Sequence, residues 1–162
     1  MGKVILVCGK IGSGKTTYAN KLAKQIDAVN ISQDELMLGL FGAELYDNEP
    51  QKYEEYCSKV EDYVKHKAGE AAKAGAIVIC ENGFWSRSER DELRKFYSDM
   101  AVKCELHYID TSENQRLQNI ISRNEEILEG KSHFYLTNDK DIYHFFEIPD
   151  DCEVDVRVIA PF

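Results

Sequence analysis

The feature that most constrains this chain is a glycine-rich loop near its N-terminus. Residues Gly9–Thr16 have the sequence GKIGSGKT, which matches the pattern G-x-x-x-x-G-K-[ST]. A random chain of this length would contain that pattern about once in 200 cases. The apolar run Lys3–Cys8 before the loop is typical of a buried strand, and Gly14–Gln25 after it has apolar residues at helical spacing. A strand, this loop and a helix together predict a phosphate-binding unit.

Each fixed position of that pattern has a physical reason. Glycines let backbone N–H groups turn inward and approach phosphate oxygens, and the helix that follows adds its positive dipole end. In this pattern the lysine, Lys15, reaches the β- and γ-phosphates, and Thr16 offers its hydroxyl to Mg²⁺. A glycine-rich turn that binds nothing is the alternative. The residues predicted to hold the phosphates are Gly9, Lys10, Ile11, Gly12, Ser13, Gly14, Lys15, Thr16 and Thr17.

The rest of the chain alternates between short apolar runs and amphipathic stretches. Four further strands are predicted at Ala28–Ile31, Ala76–Cys80, Val102–Ile109 and Val154–Ile159. Helices are predicted at Gln33–Phe41, 47–74, Ser86–Met100, Ser112–Glu129 and Asp139–Phe146. This alternation predicts an α/β sandwich with a mainly parallel sheet, and the absence of a linker or repeat predicts one domain over residues 1–162.

Composition excludes several classes of protein. The net charge is −9 and the sequence has no basic run, which disfavours a polynucleotide partner because phosphate neutralisation supplies most of the affinity for nucleic acid. No apolar run is long enough to span a bilayer or to form the apolar part of an export signal, so a cytoplasmic location is expected. The five cysteines are odd in number and contain no C-x-x-C pair, which disfavours a metal cluster or a disulfide framework.

Acidic residues follow the predicted strands, where a doubly wound sheet binds its ligand. Asp34, after the second strand, could act as a general base for an attacking hydroxyl, or it could support a helix start of the form Ser32-x-x-Glu35. Glu81, after the third strand, could hold Mg²⁺ through water, or it could be a capping or solvated acid. Asp110 precedes a helix start, where capping is the favoured role.

Phosphoryl transfer also needs cations near the developing charge. Arg116 and Arg123 are seven residues apart on one predicted helix, and Arg123 precedes a segment, 124–137, that could close over the nucleotide as a lid. Lys131 lies within this segment. Each of the three could equally be a solvated surface charge. Arg87 and Arg90 follow the third strand, where they could contact an acceptor or pair with acids of their own helix.

These residues together resemble a known family. The run Gly9–Thr17, the pair Ser32-x-Asp34, a third strand followed by Glu81 and Asn82, and Arg123-Asn124 are similar to the small P-loop kinases that include polynucleotide 5′-kinase, zeta toxin and chloramphenicol phosphotransferase, often described as AAA-type ATP-binding proteins. The resemblance implies a three-layer P-loop NTPase sandwich with a five-stranded sheet of order 2-3-1-4-5. It also implies ATP or GTP, Mg²⁺ and a hydroxyl acceptor, with Asp34 as the base and Arg123 as the lid arginine beside Lys15. One departure is Met37, where many members have an arginine.

The acceptor side has its own sequence signal. No Lys or Arg occurs between Lys24 and Lys52, although an acceptor phosphate would need cations. The acidic residues in and just after this stretch form either an acidic wall of the acceptor site or a solvated helix face. They are Glu44, Asp47, Glu49, Glu54 and Glu55. The favoured function is phosphate transfer to a hydroxyl of a small, non-phosphorylated acceptor. The alternatives are a polynucleotide 5′-hydroxyl kinase and a nucleotide-binding switch with little transfer. A loop contacting the nucleotide base is expected at residues 160–162 or elsewhere.

Overall fold

The computed structural model describes residues 2–160, which form five strands and seven helices. The strands are β1 (Lys3–Cys8), β2 (Val29–Ser32), β3 (Ile77–Glu81), β4 (Lys103–Asp110) and β5 (Val156–Ile159). The helices are α1 (Lys15–Ile26), α2 (Gln33–Phe41), α3 (Glu44–Asn48), α4 (Pro50–Lys73), α5 (Arg87–Asp99), α6 (Glu113–Leu128) and α7 (Asp139–Ile142).

The five strands form one parallel sheet of order β2-β3-β1-β4-β5, which confirms the order that the resemblance implies. Side chains alternate across the central strand β1, so Val4, Leu6 and Cys8 pack on the face covered by α4 and α5. Ile5 and Val7 pack on the opposite face against α1. Helices therefore cover both faces, and the three-layer sandwich is confirmed.

Two details differ from the sequence prediction. The long helix expected over 47–74 is broken at Glu49, whose backbone leaves the helical region, and Pro50 begins a new helix. Proline is favoured in the first turn of a helix and disfavours helical geometry at the residue before it. The second to fourth strands end one residue later than predicted, so Ser32, Glu81 and Asp110 are their last residues.

The last helix, the cysteines and the lengths of the helices can also be compared with the sequence predictions. The predicted last helix stops at Ile142 instead of Phe146. All five cysteines are unpaired, and Cys8 and Cys80 are buried in the core as small apolar side chains. Within residues 2–160, no helix is long and apolar enough to cross a bilayer. The expectation of a single domain over the whole chain stays a prediction.

Candidate active site

The glycine-rich loop joins β1 to α1 in a conformation that requires glycine. Gly12 and Gly14 have φ values of 79° and 94°, in the left-handed region that other residues rarely adopt. A Cβ at Gly12 would lie 2.7 Å from the carbonyl oxygen of Arg116 and 2.7 Å from Cγ1 of Ile120. The loop is therefore pressed against α6, and glycine is needed at this position for both conformation and space.

The Lys15 side chain is folded back over the loop. Its ammonium group donates to the carbonyl oxygens of Gly9 and Lys10 at 3.0 and 3.2 Å. Removal from water lowers the pKa of this ammonium, and the carboxylates of Glu81 and Asp34 act in the opposite direction. Lys15 is thus a cation held at the place where the pattern predicts a triphosphate.

Thr16 and Glu81 meet beside that lysine. The Thr16 hydroxyl donates to Oε1 of Glu81 at 2.6 Å, while Oε2 of Glu81 is buried and has no hydrogen-bond partner within residues 2–160. Burial raises the pKa of the Glu81 carboxyl, partly offset by the Thr16 hydroxyl and the Lys15 charge. The described residues contain no group of three or more His, Cys, Asp or Glu side chains that could hold a metal ion. A hydroxyl and a single carboxylate fit Mg²⁺, which keeps most of its ligands as waters and phosphate oxygens in such sites.

A large cleft opens at the carboxyl ends of the strands, as expected for a doubly wound sheet. Its volume is about 1200 Å³, and it contains Lys15, Thr16, Asp34, Glu81 and Arg123. The structure therefore brings together every residue that the sequence predicted for catalysis or metal binding. Seven carboxylate side chains line the cleft: Asp34, Asp47, Glu54, Glu61, Glu81, Glu126 and Asp141. Three lysine or arginine side chains do so: Lys15, Arg123 and Lys140.

Asp34 lies in the first turn of α2, where Ser32 is the N-cap and accepts from the backbone N–H of Glu35 at 3.4 Å. The Asp34 carboxylate accepts a hydrogen bond from the Tyr135 hydroxyl at 2.8 Å. Ser32, and not Asp34, supplies the side-chain cap of this helix. The Asp34 carboxylate is directed to a hydroxyl group inside the cleft.

Tyr135 belongs to the segment after α6 that the sequence predicted as a lid. Its first residues, 124–128, are helical, so the irregular segment begins at Glu129. Asn124 holds this segment to α6 through two hydrogen bonds with the backbone of Thr137, at 2.9 and 3.0 Å. Arg123 donates to the Thr137 hydroxyl and lies over the ring of Phe134, 5.3 Å from its centroid. The Nε of Arg123 is buried without a partner in residues 2–160, which leaves a donor for a ligand.

Arg116 is placed differently from Arg123. Its side chain is buried, donates to the carbonyl oxygens of Ile11 and Ile142 at 3.0 and 3.3 Å, and pairs with Glu113. Arg116 therefore supports the phosphate loop from behind and is not a lid cation. Lys131 is an exposed residue paired with Glu129 at 2.5 Å, which is the solvated surface charge that the sequence left open.

The sequence suggested that Arg87 and Arg90 could contact an acceptor. This suggestion is wrong for an acceptor bound in the cleft, since neither residue lines it. Arg90 is fully buried and pairs with Glu153, with Nε 3.1 Å from the carboxylate, so it ties α5 to the turn before β5. Arg87 pairs with Asp91 and Asp150. The burial of Arg90 could not be predicted from its neighbours in the sequence, because its partner Glu153 is 63 positions away.

Of the other residues that the sequence singled out, some line the cleft and some do not. Met37, the departure from the resemblance, is buried in the core and does not line the cleft. The Lys10 side chain also lies outside the cleft lining, although its carbonyl oxygen holds Lys15. Ala160 lines the cleft, while residues 161 and 162 of the expected base-contacting loop lie outside the described residues.

Sequence reasoning missed an aromatic wall of the cleft. It consists of Tyr46, Tyr53, Trp85, Phe134 and Tyr135. Tyr46 and Tyr135 stack with ring centroids 4.8 Å apart, and the hydroxyls of Tyr53 and Tyr135 are 3.3 Å apart. Burial raises the pKa of Tyr135 far above its ordinary value, and the neighbouring Asp34 charge acts in the same direction. The tyrosines themselves are visible in the sequence, but each pair joins elements far apart in the chain.

Comparison with known proteins agrees with this geometry. Residues 4–135 match the family described as AAA domain. No curated protein is significantly similar to the chain in sequence.

Solved structures share the fold at low identity. An APS kinase from Mycobacterium tuberculosis, in complex with AMPPNP and APS, has a TM-score of 0.68 at 19% identity, over 98% of this chain and 88% of its own. A gluconokinase from Sinorhizobium meliloti 1021 has a TM-score of 0.62 at 18% identity, over 98% of this chain and 82% of its own. A chain of an RNA repair complex has a TM-score of 0.62 at 24% identity, over 77% of this chain and 38% of its own. The resemblance to small P-loop kinases is confirmed at the level of fold.

Proposed function

The chain belongs to the AAA domain family, and on that premise we propose that it is an ATP-dependent phosphotransferase with a hydroxyl acceptor. The γ-phosphate would move to a small, non-phosphorylated molecule. The observation that carries this proposal is the hydrogen bond from the Tyr135 hydroxyl to Asp34 at 2.8 Å. A carboxylate that already accepts an O–H bond in the same cleft as Lys15 has the contact that a general base needs.

The nucleotide would be ATP or GTP, held along Gly9–Thr17 with Lys15 as the cation on its phosphates. The buried, unpartnered Oε2 of Glu81 and the Thr16 hydroxyl beside it are the oxygens that would hold Mg²⁺. Mg²⁺ in such a site neutralises charge on the phosphates. These residues fit the ion without any further protein ligand.

The acceptor hydroxyl would give its proton to Asp34 as its oxygen attacks the γ-phosphorus and the bond to the β-phosphate oxygen breaks. The charge that develops on the leaving phosphate would lie near Lys15 and Arg123, which both line the cleft and are close enough for the Arg123 charge to lower the pKa of Lys15. The unpartnered Nε of Arg123 supports this role, because a ligand oxygen would satisfy a donor that is otherwise buried without a bond.

Charge on the acceptor side supports an acceptor without phosphate. The cleft has no cation from residues 25–51, and the position where related kinases have an arginine is occupied by Met37 in the core. An acceptor phosphate or a polynucleotide would meet the carboxylates of Asp47 and Glu54 instead of paired cations. An oligonucleotide acceptor is therefore disfavoured, and labelling of 5′-hydroxyl oligonucleotides should give no product at physiological salt.

The test is acceptor-stimulated ADP release over a panel of hydroxylated metabolites and antibiotics. Asp34→Asn should lower kcat on the acceptor found by about 10² to 10⁴, the usual contribution of a general base. Glu35→Gln is the matched control, since Glu35 neighbours Asp34 on α2 but does not line the cleft. Full turnover by Asp34→Asn would refute the base assignment. Tight binding of ATP–Mg²⁺ with no acceptor-stimulated release across the panel would favour the nucleotide-binding switch instead.

A further inference from the structure

Acids on helix α4 differ in whether they are paired. Three of them form ion pairs with a lysine on the same helix: Glu55 with Lys59 at 2.5 Å, Asp62 with Lys65 at 3.0 Å, and Glu70 with Lys67 at 2.7 Å. The other two, Glu54 and Glu61, line the cleft. Neither has a Lys or Arg within 4 Å in the part of the chain that the structure describes. The helix thus leaves negative charge uncompensated only on the face that borders the cleft.

Glu54 and Glu61 lie on one face because they are seven residues, about two helical turns, apart. Tyr53, Cys57 and Ser58 complete the same face and also line the cleft. Glu61 accepts one hydrogen bond, from Nδ2 of Asn82 at 3.0 Å, which fixes the carboxylate without neutralising it. A ligand with a positive charge would supply the partner that the protein lacks here.

A second observation, independent of the acids, comes from Gln33. Its residue surface is only 8% exposed, and its Oε1 has no hydrogen-bond partner within residues 2–160. Gln33 lines both the cleft and a smaller adjoining cavity of about 300 Å³, and Glu61 lines both as well. A buried carbonyl oxygen left without a donor is costly, so a ligand N–H at this junction would be favoured.

Aromatic rings border the same region. Tyr46 and Tyr53 meet edge to face with centroids 5.0 Å apart, and both line the cleft. Tyrosine faces attract cations through the ring quadrupole and do not attract anions. Carboxylates, an unpaired carbonyl oxygen and tyrosine rings share a preference for one kind of group, an ammonium.

We propose that the phosphate acceptor is a hydroxylated amine, whose ammonium group is bound by Glu54, Glu61 and the carbonyl oxygen of Gln33. This proposal rests on the function proposed above for the acceptor hydroxyl at Asp34. The lining of the adjoining cavity includes the apolar side chains of Ile31, Leu93 and Phe96, so an apolar substituent on the amine would have contacts there.

Binding is the first measurement, because it does not depend on turnover. Calorimetry with AMPPNP and Mg²⁺ present would compare three matched pairs: 2-aminoethanol with ethane-1,2-diol, glucosamine with glucose, and 2-amino-1-phenylethanol with 1-phenylethane-1,2-diol. At least one amine should bind about tenfold or more tightly than its neutral partner, and the preference should weaken with added salt. Should no amine bind more tightly than its neutral partner, the proposal is overturned.

Variants then locate the site. The double variant Glu54→Gln/Glu61→Gln should lose about tenfold in affinity for the preferred amine, as expected for two solvent-accessible ion pairs, and leave neutral compounds unaffected. The control is Glu55→Gln/Glu70→Gln, which removes the same charge from two lysine-paired acids of α4 that line neither the cleft nor the adjoining cavity, and it should change the affinity less than twofold. Equal losses in the two double variants would refute the site.

Acceptor-stimulated ADP release separates the two proposals. Preferential, Glu61-dependent binding of an amine that stimulates no ADP release would contradict the proposed phosphotransferase and leave the amine site intact. ADP release stimulated equally by amines and their neutral partners would support phosphate transfer and overturn the amine site.

Discussion

Substitution of Gly12 by alanine tests the geometry of the phosphate loop most directly. The new Cβ would lie 2.7 Å from two atoms of α6, one of them the carbonyl oxygen of Arg116, which cannot move without its helix. A left-handed φ costs alanine about 1 kcal/mol, and overpacking of this kind costs about 1–3 kcal/mol. Gly12→Ala should therefore lower the free energy of unfolding by about 2–4 kcal/mol.

Thermal unfolding and nucleotide binding are the two assays. For a chain of this size 1 kcal/mol corresponds to about 2–4 °C, so Tm should fall by about 10 °C. The loop has to move to accept the Cβ, so its N–H groups lose their alignment and the affinity for ATP–Mg²⁺ should fall at least about tenfold. The increase in Tm on adding ATP–Mg²⁺ should shrink accordingly.

Gly39→Ala is the matched control. Gly39 lies inside α2, and a Cβ there would meet no atom within 4 Å. Because alanine is the better helix former by about 1 kcal/mol, this variant should keep or slightly raise Tm and bind nucleotide normally. If Gly12→Ala unfolded and bound ATP like the parent chain, the loop could not have the packing described here.

Two further predictions concern the cleft and the sheet. Tyr135→Phe keeps the ring but removes the hydroxyl that competes for Asp34, so KM for the acceptor should fall several-fold with kcat little changed; steady-state kinetics with an unchanged or higher KM would contradict this. Burial raises the pKa of Glu105, but its lysine partners Lys103 and Lys3 outweigh burial and hold that pKa at about 2, so the stabilisation is present above the ordinary value of 4.5 and lost as the pH falls towards 2. Glu105→Gln should cost about 1 kcal/mol in urea unfolding at pH 7 and much less at pH 2, and a cost that is constant with pH would refute the linkage. Glu44→Gln is the control, at an acid that has no ion pair within residues 2–160, and it should cost little at either pH.

How far the sequence predicted the fold depends on how local each signal is. The phosphate loop was predictable because its glycines, Lys15 and flanking elements lie within a few residues of one another. The break in the long helix was signalled by Pro50, but the apolar periodicity on both sides of it favoured one continuous helix. Strand ends moved by one residue because apolar content marks the buried part of a strand, while Glu81 completes the ladder beside Val7 as a buried acid.

Contacts between distant parts of the chain account for what the sequence could not predict at the site. Asp34 and Tyr135 are 101 positions apart, so neither residue signals the other. Arg116 and Arg123 lie two helical turns apart on α6, and the sequence does not distinguish them. In the structure, Arg116 is buried behind the phosphate loop and Arg123 lines the cleft. Only the packing of α6 against the loop distinguishes them. The roles of Asp34, Glu81 and Arg123 in catalysis stay predictions, and the Asp34→Asn variant tests the first of them.

The guanidinium of Arg116 has a consequence for how the two substrates affect each other. It joins the carbonyl oxygen of Ile11 in the phosphate loop to that of Ile142 at the end of α7. On α7, the Asp141 carboxylate accepts a hydrogen bond from the hydroxyl of Tyr46, and Tyr46 lies on the acceptor side of the cleft. A shift of the loop on nucleotide binding would thus reach the acceptor wall through Arg116, α7 and the hydrogen bond between Asp141 and Tyr46. Reciprocity then requires that the acceptor change the affinity for nucleotide by the same factor as the nucleotide changes the affinity for acceptor.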